Sequence, residues 1–259
     1  MEVIQAHLYD HPKYYDLVFG SDWKAEFDFL EGCFDIHTTR VVRRLFEPAC
    51  GTGRLLYRFG AVGYDVGGND LNPHAVEYCN RRLESKGIPG RAQVGDMSRF
   101  RLPRKVDAAF NTINSFRHLQ TEQQAYDHLQ CMANCLSRGG VYVLGFHLTP
   151  QSPRHGDEEW WTARRGHLTI NSRLWSIEID LRNREERVGM TYDIYTPTRQ
   201  FRLEDETIFR TYTAEQFDTL LKGVPELEVA ATYDFAYELD CPIQVDRRTE
   251  DVIFVLRKR

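Results

Sequence analysis

Between Val41 and Phe146, short apolar runs alternate with longer amphipathic ones, and few folds accept that rhythm. Val41–Pro48, Tyr64–Asp70, Arg91–Gly95, Val106–Thr112 and Val141–Phe146 read as strands. The intervals read as helices: one from about Gly53, one over Pro73–Lys86 with Pro73 at a favoured first position, and one over Thr121–Leu136. In the last, Ala125, Leu129, Met132 and Leu136 share one face, and Gly139–Gly140 reads as its end. Such alternation implies a parallel, doubly wound sheet, whose ligands bind beyond the carboxyl ends of the strands near the switch in strand order.

The flanks follow other rules. Pro12–Val18 and Lys24–Phe34 read as helices, the second with Phe27, Leu30 and Phe34 at helical spacing, so residues 1–40 form an N-terminal helical cap. After Thr149 the period drops to two: Trp175, Ile177, Ile179 and Leu181 on one strand, Met190, Tyr192 and Ile194 on the next, with the polar Asn183–Arg187 between them. This is a long antiparallel hairpin, to which Phe201–Tyr212 adds a further strand. A helix then follows at Thr213–Leu221, opened by Thr213 with Gln216 three residues on. Leu227–Tyr233 and Asp251–Arg257 close the sheet as an antiparallel pair. The fold expected is α/β: a doubly wound, seven-stranded, mostly parallel Rossmann-like sheet with an antiparallel last strand and a β-rich insertion after the fifth strand. Residues 1–149 and 213–259 form one domain, and 150–212 an antiparallel insertion that serves as a substrate cover or a dimer surface.

Charge and cysteine usage narrow the function. A net charge of -5 argues against a nucleic-acid partner, because phosphate backbones are bound by clustered Lys and Arg; the run Arg40–Arg44 is short enough to be a solvated face. Met1–Asp10 has no apolar core of a signal peptide, and no run reaches membrane-spanning length. The six cysteines form no CxxC pair and read as reduced thiols of a cytoplasmic protein, without a metal site. A small-molecule partner and no membrane are the expectation, with a homodimer possible.

The stretch LFEPACGTGRLLYRF, Leu45–Phe59, decides the ligand. A phosphate-cradling loop needs Gly-Lys-Ser/Thr, but Gly53 precedes Arg54-Leu55. A dinucleotide fingerprint lacks its last glycine here, and Glu47 stands at the mouth of the turn. A carboxylate several ångströms from a pyrophosphate costs on the order of a few kcal/mol at an effective dielectric of about 20. A cofactor with a positive centre and no phosphates fits better, and S-adenosylmethionine is one: its sulfonium and ammonium tolerate carboxylates, while its body needs small residues for close backbone approach. Asp70, followed by Leu71, ends the second strand, where a carboxylate accepts from ribose hydroxyls. Asp96 and Met97 end the third, where the acid can take an adenine amine and the thioether can pack on the ring.

These motifs resemble those of the class I S-adenosylmethionine-dependent methyltransferases: Glu47–Gly53 as the first, Asp70 as the second, Asp96-Met97 as the third, and the final strand pair as the closing hairpin. Ala49 stands where that family commonly has its first glycine. The resemblance implies a cofactor site of Tyr15, Glu47, Ala49, Gly51, Gly53, Asp70, Leu71, Asp96, Met97 and Asn111. The fourth strand ends Asn111-Thr112-Ile113-Asn114-Ser115, without the Asn/Asp-Pro-Pro-aromatic motif of enzymes that methylate bases or glutamine. The leading His7–Asp16 segment and the β-rich insertion look like the small-molecule subgroup, in which glycine and amino-sugar N-methyltransferases close helices and an inserted sheet over the substrate. By that likeness the catalytic residues are His118 and Tyr15, with Tyr9 second to Tyr15. His147 also faces the cleft, and Trp160, Trp161 and Trp175 are candidates for an aromatic wall. The function implied is methyl transfer to a small-molecule amine, oxygen being the second acceptor; the alternatives are an NAD(P)-dependent oxidoreductase or epimerase and a non-catalytic protein that only binds the cofactor.

Overall fold

The computed structural model describes residues 1–21, 23–150 and 158–259; residues 151–157, the start of the expected insertion, lie outside these. In chain order the elements are β1 (Glu2–Gln5), a 3-10 turn (Leu8–Asp10), α1 (Pro12–Gly20), α2 (Lys24–His37), β2 (Arg44–Pro48), α3 (Leu56–Ala61), β3 (Asp65–Asp70), α4 (Pro73–Ser85), β4 (Arg91–Val94), β5 (Val106–Asn111), a second 3-10 turn (Ser115–His118) and α5 (Glu122–Cys135). They continue as β6 (Leu136–His147), β7 (Glu158–Arg165), β8 (Leu168–Asp180), β9 (Glu185–Tyr195), β10 (Gln200–Arg210), α6 (Ala214–Lys222), β11 (Leu227–Tyr233) and β12 (Asp251–Lys258).

Local chemistry starts the helices where the sequence places them. Asn72 caps α4, its side chain accepting from His74 N and Ala75 N, with Pro73 behind it. Thr121 with Gln124 and Thr213 with Gln216 form capping boxes on α5 and α6.

Seven strands form the main sheet in the order β11-β12-β6-β5-β2-β3-β4. Neighbours from β6 to β4 are parallel, and β12 runs antiparallel to both β6 and β11. The expected α/β fold is therefore borne out. Alternate residues of each strand feed two cores. One packs against α2, α3 and α4 through Phe29, Leu30, Phe34, Phe59 and Leu83; the other packs against α5 and α6 through Leu129, Met132, Phe217 and Leu220. Strand order reverses between β2 and β5, and the crevice at their carboxyl ends is where such sheets bind ligands.

A second sheet, β1-β10-β9-β8-β7, carries the predicted hairpin as β8 and β9. Its inner face, Ile170, Met190, Tyr192, Ile194, Phe201 and Leu203, buries Leu8 from the first 3-10 turn and Leu17 and Val18 of α1. Two local expectations are corrected. The N-terminal segment is not helical throughout: Glu2–Gln5 is a strand paired in parallel with Phe201–Glu204, so its conformation is dictated by a distant edge. Residues 136–140 extend β6 backwards instead of forming a helix stop, with Gly139 in the left-handed region at φ 76°. Among the described residues no helix is long and apolar enough to cross a membrane.

Candidate active site

A cavity of about 1240 Å³ opens over the switch point, between the carboxyl ends of the main sheet and the inner face of the second one. Its cofactor end is built on the turn between β2 and α3. Ala49, Gly51 and Gly53 all adopt left-handed backbone, φ 51°, 52° and 66°. Gly51 N donates to Asp70 Oδ2 at 2.8 Å and Asn72 N to Asp70 Oδ1 at 2.8 Å, so the acid ending β3 orders two loops at once. Burial raises the Asp70 carboxyl, and the two backbone donors oppose that rise. Tyr15 lies across the turn: a methyl at Gly51 would stand 3.3 Å from its ring.

Of the residues expected to hold a cofactor, Tyr15, Ala49, Gly51, Asp70, Leu71 and Met97 line this cavity. Glu47, Gly53, Asp96 and Asn111 stand behind its wall. Gly53 is small for packing against α4, since a Cβ there would meet Cys79 Sγ at 2.3 Å. Asp96 Oδ1 accepts from Ser98 N and Oγ at 2.7 and 2.8 Å, shaping the turn that presents Met97. Asn111 donates to Pro48 O at 2.7 Å, tying β5 to the loop. Glu47 is buried in a polar layer with Arg54, whose guanidinium is paired with Glu26 at 2.5 Å. Burial pushes the Glu47 carboxyl up, and among the described residues its Oε2 has no hydrogen-bond partner. Glu47 therefore does not stand at the mouth of the turn as expected: it does not line the cavity, and its carboxyl belongs to the buried layer that supports the turn from behind. The residues that line the cavity fit S-adenosylmethionine: close approach at Ala49 and Gly51, a carboxylate for a ribose in Asp70 and a thioether for a purine in Met97.

The acceptor end is organised by the 3-10 turn after β5, entered through Asn114 at φ 55°. His118 Nε2 is hydrogen-bonded to Tyr9 Oη at 3.0 Å, and its ring packs on Phe209. Burial, with the charge of Arg117 beside it, lowers the His118 pKa to about 4. Arg117 itself is buried and spent: it pairs with Glu186 at 2.5 Å and donates to Arg210 O at 2.9 Å. Among the three tryptophans considered, only Trp161 lines the cavity. Trp160 is 66% exposed, and Trp175 lies over Gly189 with Arg173 against its ring. Strand alternation, not aromatic content, decides which of them faces the site. His147 sits at the rim, its Nδ1 2.7 Å from Asp251 Oδ1.

Three structuring residues escaped the sequence reading. Asn72 donates to Tyr9 O at 3.0 Å and holds the N-terminal segment over the cavity. His128, wholly buried, bonds Met97 O through Nδ1 and Tyr142 Oη through Nε2, both at 2.9 Å. Its position inside the apolar stripe of α5, between Ala125 and Met132, is the signal that could have found it. Asp16, buried on α1, is the third.

Residues 46–140 match the family model described as a methyltransferase domain. The chain is 28% identical over 155 residues to the dTDP-3-amino-3,4,6-trideoxy-alpha-D-glucopyranose N,N-dimethyltransferase of Streptomyces venezuelae, spanning 59% of this chain and 58% of that protein. It is 26% identical over 226 residues to the dTDP-4-amino-2,3,4,6-tetradeoxy-D-glucose N,N-dimethyltransferase of Saccharopolyspora spinosa, covering 85% of this chain and 87% of the relative. The fold is similar over the full length of both chains to SAM-bound CalS10, an amino pentose methyltransferase from Micromonospora echinaspora, with a TM-score of 0.73 at 20% identity. The expected resemblance to class I, small-molecule S-adenosylmethionine-dependent methyltransferases is borne out.

Proposed function

We infer that the chain is an S-adenosylmethionine-dependent methyltransferase whose acceptor is an amine nitrogen of a small molecule, with amino sugars the class indicated by its relatives. The observation that carries this reading is one continuous cavity with two unlike ends: a carboxylate and small-residue turn at one, and a neutral histidine–tyrosine pair under an apolar roof at the other. When bound, the cofactor supplies an electrophilic methyl group for in-line displacement. Asp70 would accept from its ribose, Ala49 and Gly51 would admit its body, and Tyr15 would cover it with an aromatic face that also favours a sulfonium.

Rate then depends on holding the nitrogen lone pair in line with the methyl. His118 suits that task. Its depressed pKa keeps it neutral at physiological pH, so it does not repel an incoming ammonium. The same depression makes it a weak base, which favours an orienting role shared with Tyr9; the amine proton leaves to water at the open end of the cavity. Tyr15, against Gly51, belongs to the cofactor instead.

Calorimetry with S-adenosylhomocysteine and with NAD(P)H, followed by a methyl-transfer screen on free and nucleotide-linked amino sugars read by mass spectrometry, tests the reading. Expected are binding of S-adenosylhomocysteine, weakened about tenfold or more in Asp70→Ala, and N-methylated product. Binding of NAD(P)H without S-adenosylhomocysteine would replace the reading with the oxidoreductase; cofactor binding with no product across the panel would leave a non-catalytic binder.

A further inference from the structure

Asp16 is 2% exposed, yet it lies on a helix that the turn of the cofactor site does not contain. Its carboxylate joins three parts of the molecule. Arg82 of α4 reaches Oδ1 at 2.5 Å, and Arg165 of β7, on the edge of the second sheet, reaches Oδ2 at 2.8 Å. Thr52 Oγ1, inside the glycine turn, stands 3.4 Å from Oδ1, and Arg82 also donates to Thr52 O at 3.2 Å. The carboxyl is held below its usual range: burial opposes this, but the two arginines prevail.

The helix carrying Asp16 has little of its own to fix it. α1 has nine residues, its N-cap His11 makes no side-chain cap, and its C-cap Ser21 stays in right-handed backbone. Helices this short are marginal in water without tertiary ties. Its apolar residues Leu17 and Val18 pack on the second sheet, but Tyr15, the neighbour of Asp16, must lie against the main domain at Gly51. A tie to both bodies through one side chain fixes that position, and Asp16 provides it.

We propose that Asp16 is the positioning residue that latches the N-terminal cap across the cofactor end of the cavity and gears it to the second sheet. The proposal rests on the reading that S-adenosylmethionine occupies that end. Loss of the latch lets the cap open more often, so ligand leaves faster, while association is not slowed because the cap must also open for entry.

Stopped-flow dissociation of S-adenosylhomocysteine from the full chain measures this. Asp16→Asn removes the charge from two charge-assisted bonds made by a buried carboxylate, and the dissociation rate is expected to rise on the order of ten- to hundredfold. Arg165→Gln, altering a side chain that is 55% exposed, is expected to give a smaller rise in the same direction, with KM for the cofactor increased more than kcat is lowered. Arg165→Lys should restore most of the loss. If Asp16→Asn fails to fold, Arg165→Gln decides. Dissociation rates within twofold of wild type in the folded variants overturn the latch (a bound of about 0.4 kcal/mol). A wild-type protein that does not bind S-adenosylhomocysteine overturns instead the functional reading beneath it.

Discussion

Ala49 carries a cost visible at a single dihedral. At φ 51° it occupies backbone that a side chain disfavours by about 1 kcal/mol or more. Ala49→Gly is expected to raise the melting temperature by about 2–4 °C, measured calorimetrically, with affinity for S-adenosylhomocysteine retained. The motif spacing made the turn legible, but the left-handed conformation at Ala49 was not, because alanine does not advertise it. His128 gives a second prediction. Its pKa is lowered to about 4 by burial, so between that value and the ordinary 6.5 the unfolded chain binds a proton that the folded chain refuses. The stability this represents, about 3 kcal/mol, is fully present above the unfolded value and is lost as pH falls towards 4. Urea unfolding across that window should show the decline, shallower in His128→Gln, with His118 adding to it in the same sense.

Among the elements, the 3-10 turn after β5 is where the two sheets are joined chemically. Arg117 has a side chain 4% exposed and satisfies both Glu186 of β9 and the end of β10. Truncation to Ala leaves a partly buried carboxylate and a carbonyl unpaired, at a cost of about 3 kcal/mol. The acceptor KM is expected to rise more than kcat falls, in steady-state kinetics paired with denaturant melts; Glu186→Gln, which keeps a hydrogen bond, should do less. Caps and periodicities made α4, α5, α6 and the β8–β9 hairpin readable, since each signal lies within a few residues of its effect. Links across the chain were not readable. Arg165 lies 149 positions from Asp16 and β1 pairs with a strand some two hundred residues on, and no local pattern encodes either meeting.

For the molecule as a whole, protection should follow the depth of each strand in its sheet. In hydrogen exchange β5, β6 and the middle of β12, where the backbone is buried, should exchange last, and the edge strands β1 and β7 first. Adding S-adenosylhomocysteine should slow α1 beyond the residues that line the cavity, as a geared cap requires; unchanged exchange there would mean that the cap is rigid without ligand. The placement of β12 has a consequence of another kind. It inserts between β6 and β11, so the α/β layer stays open on one side until residues 251–258 have left the ribosome. Nascent chains paused before that point hold an exposed β6 edge, which makes this the stage of biosynthesis at which a chaperone would matter most.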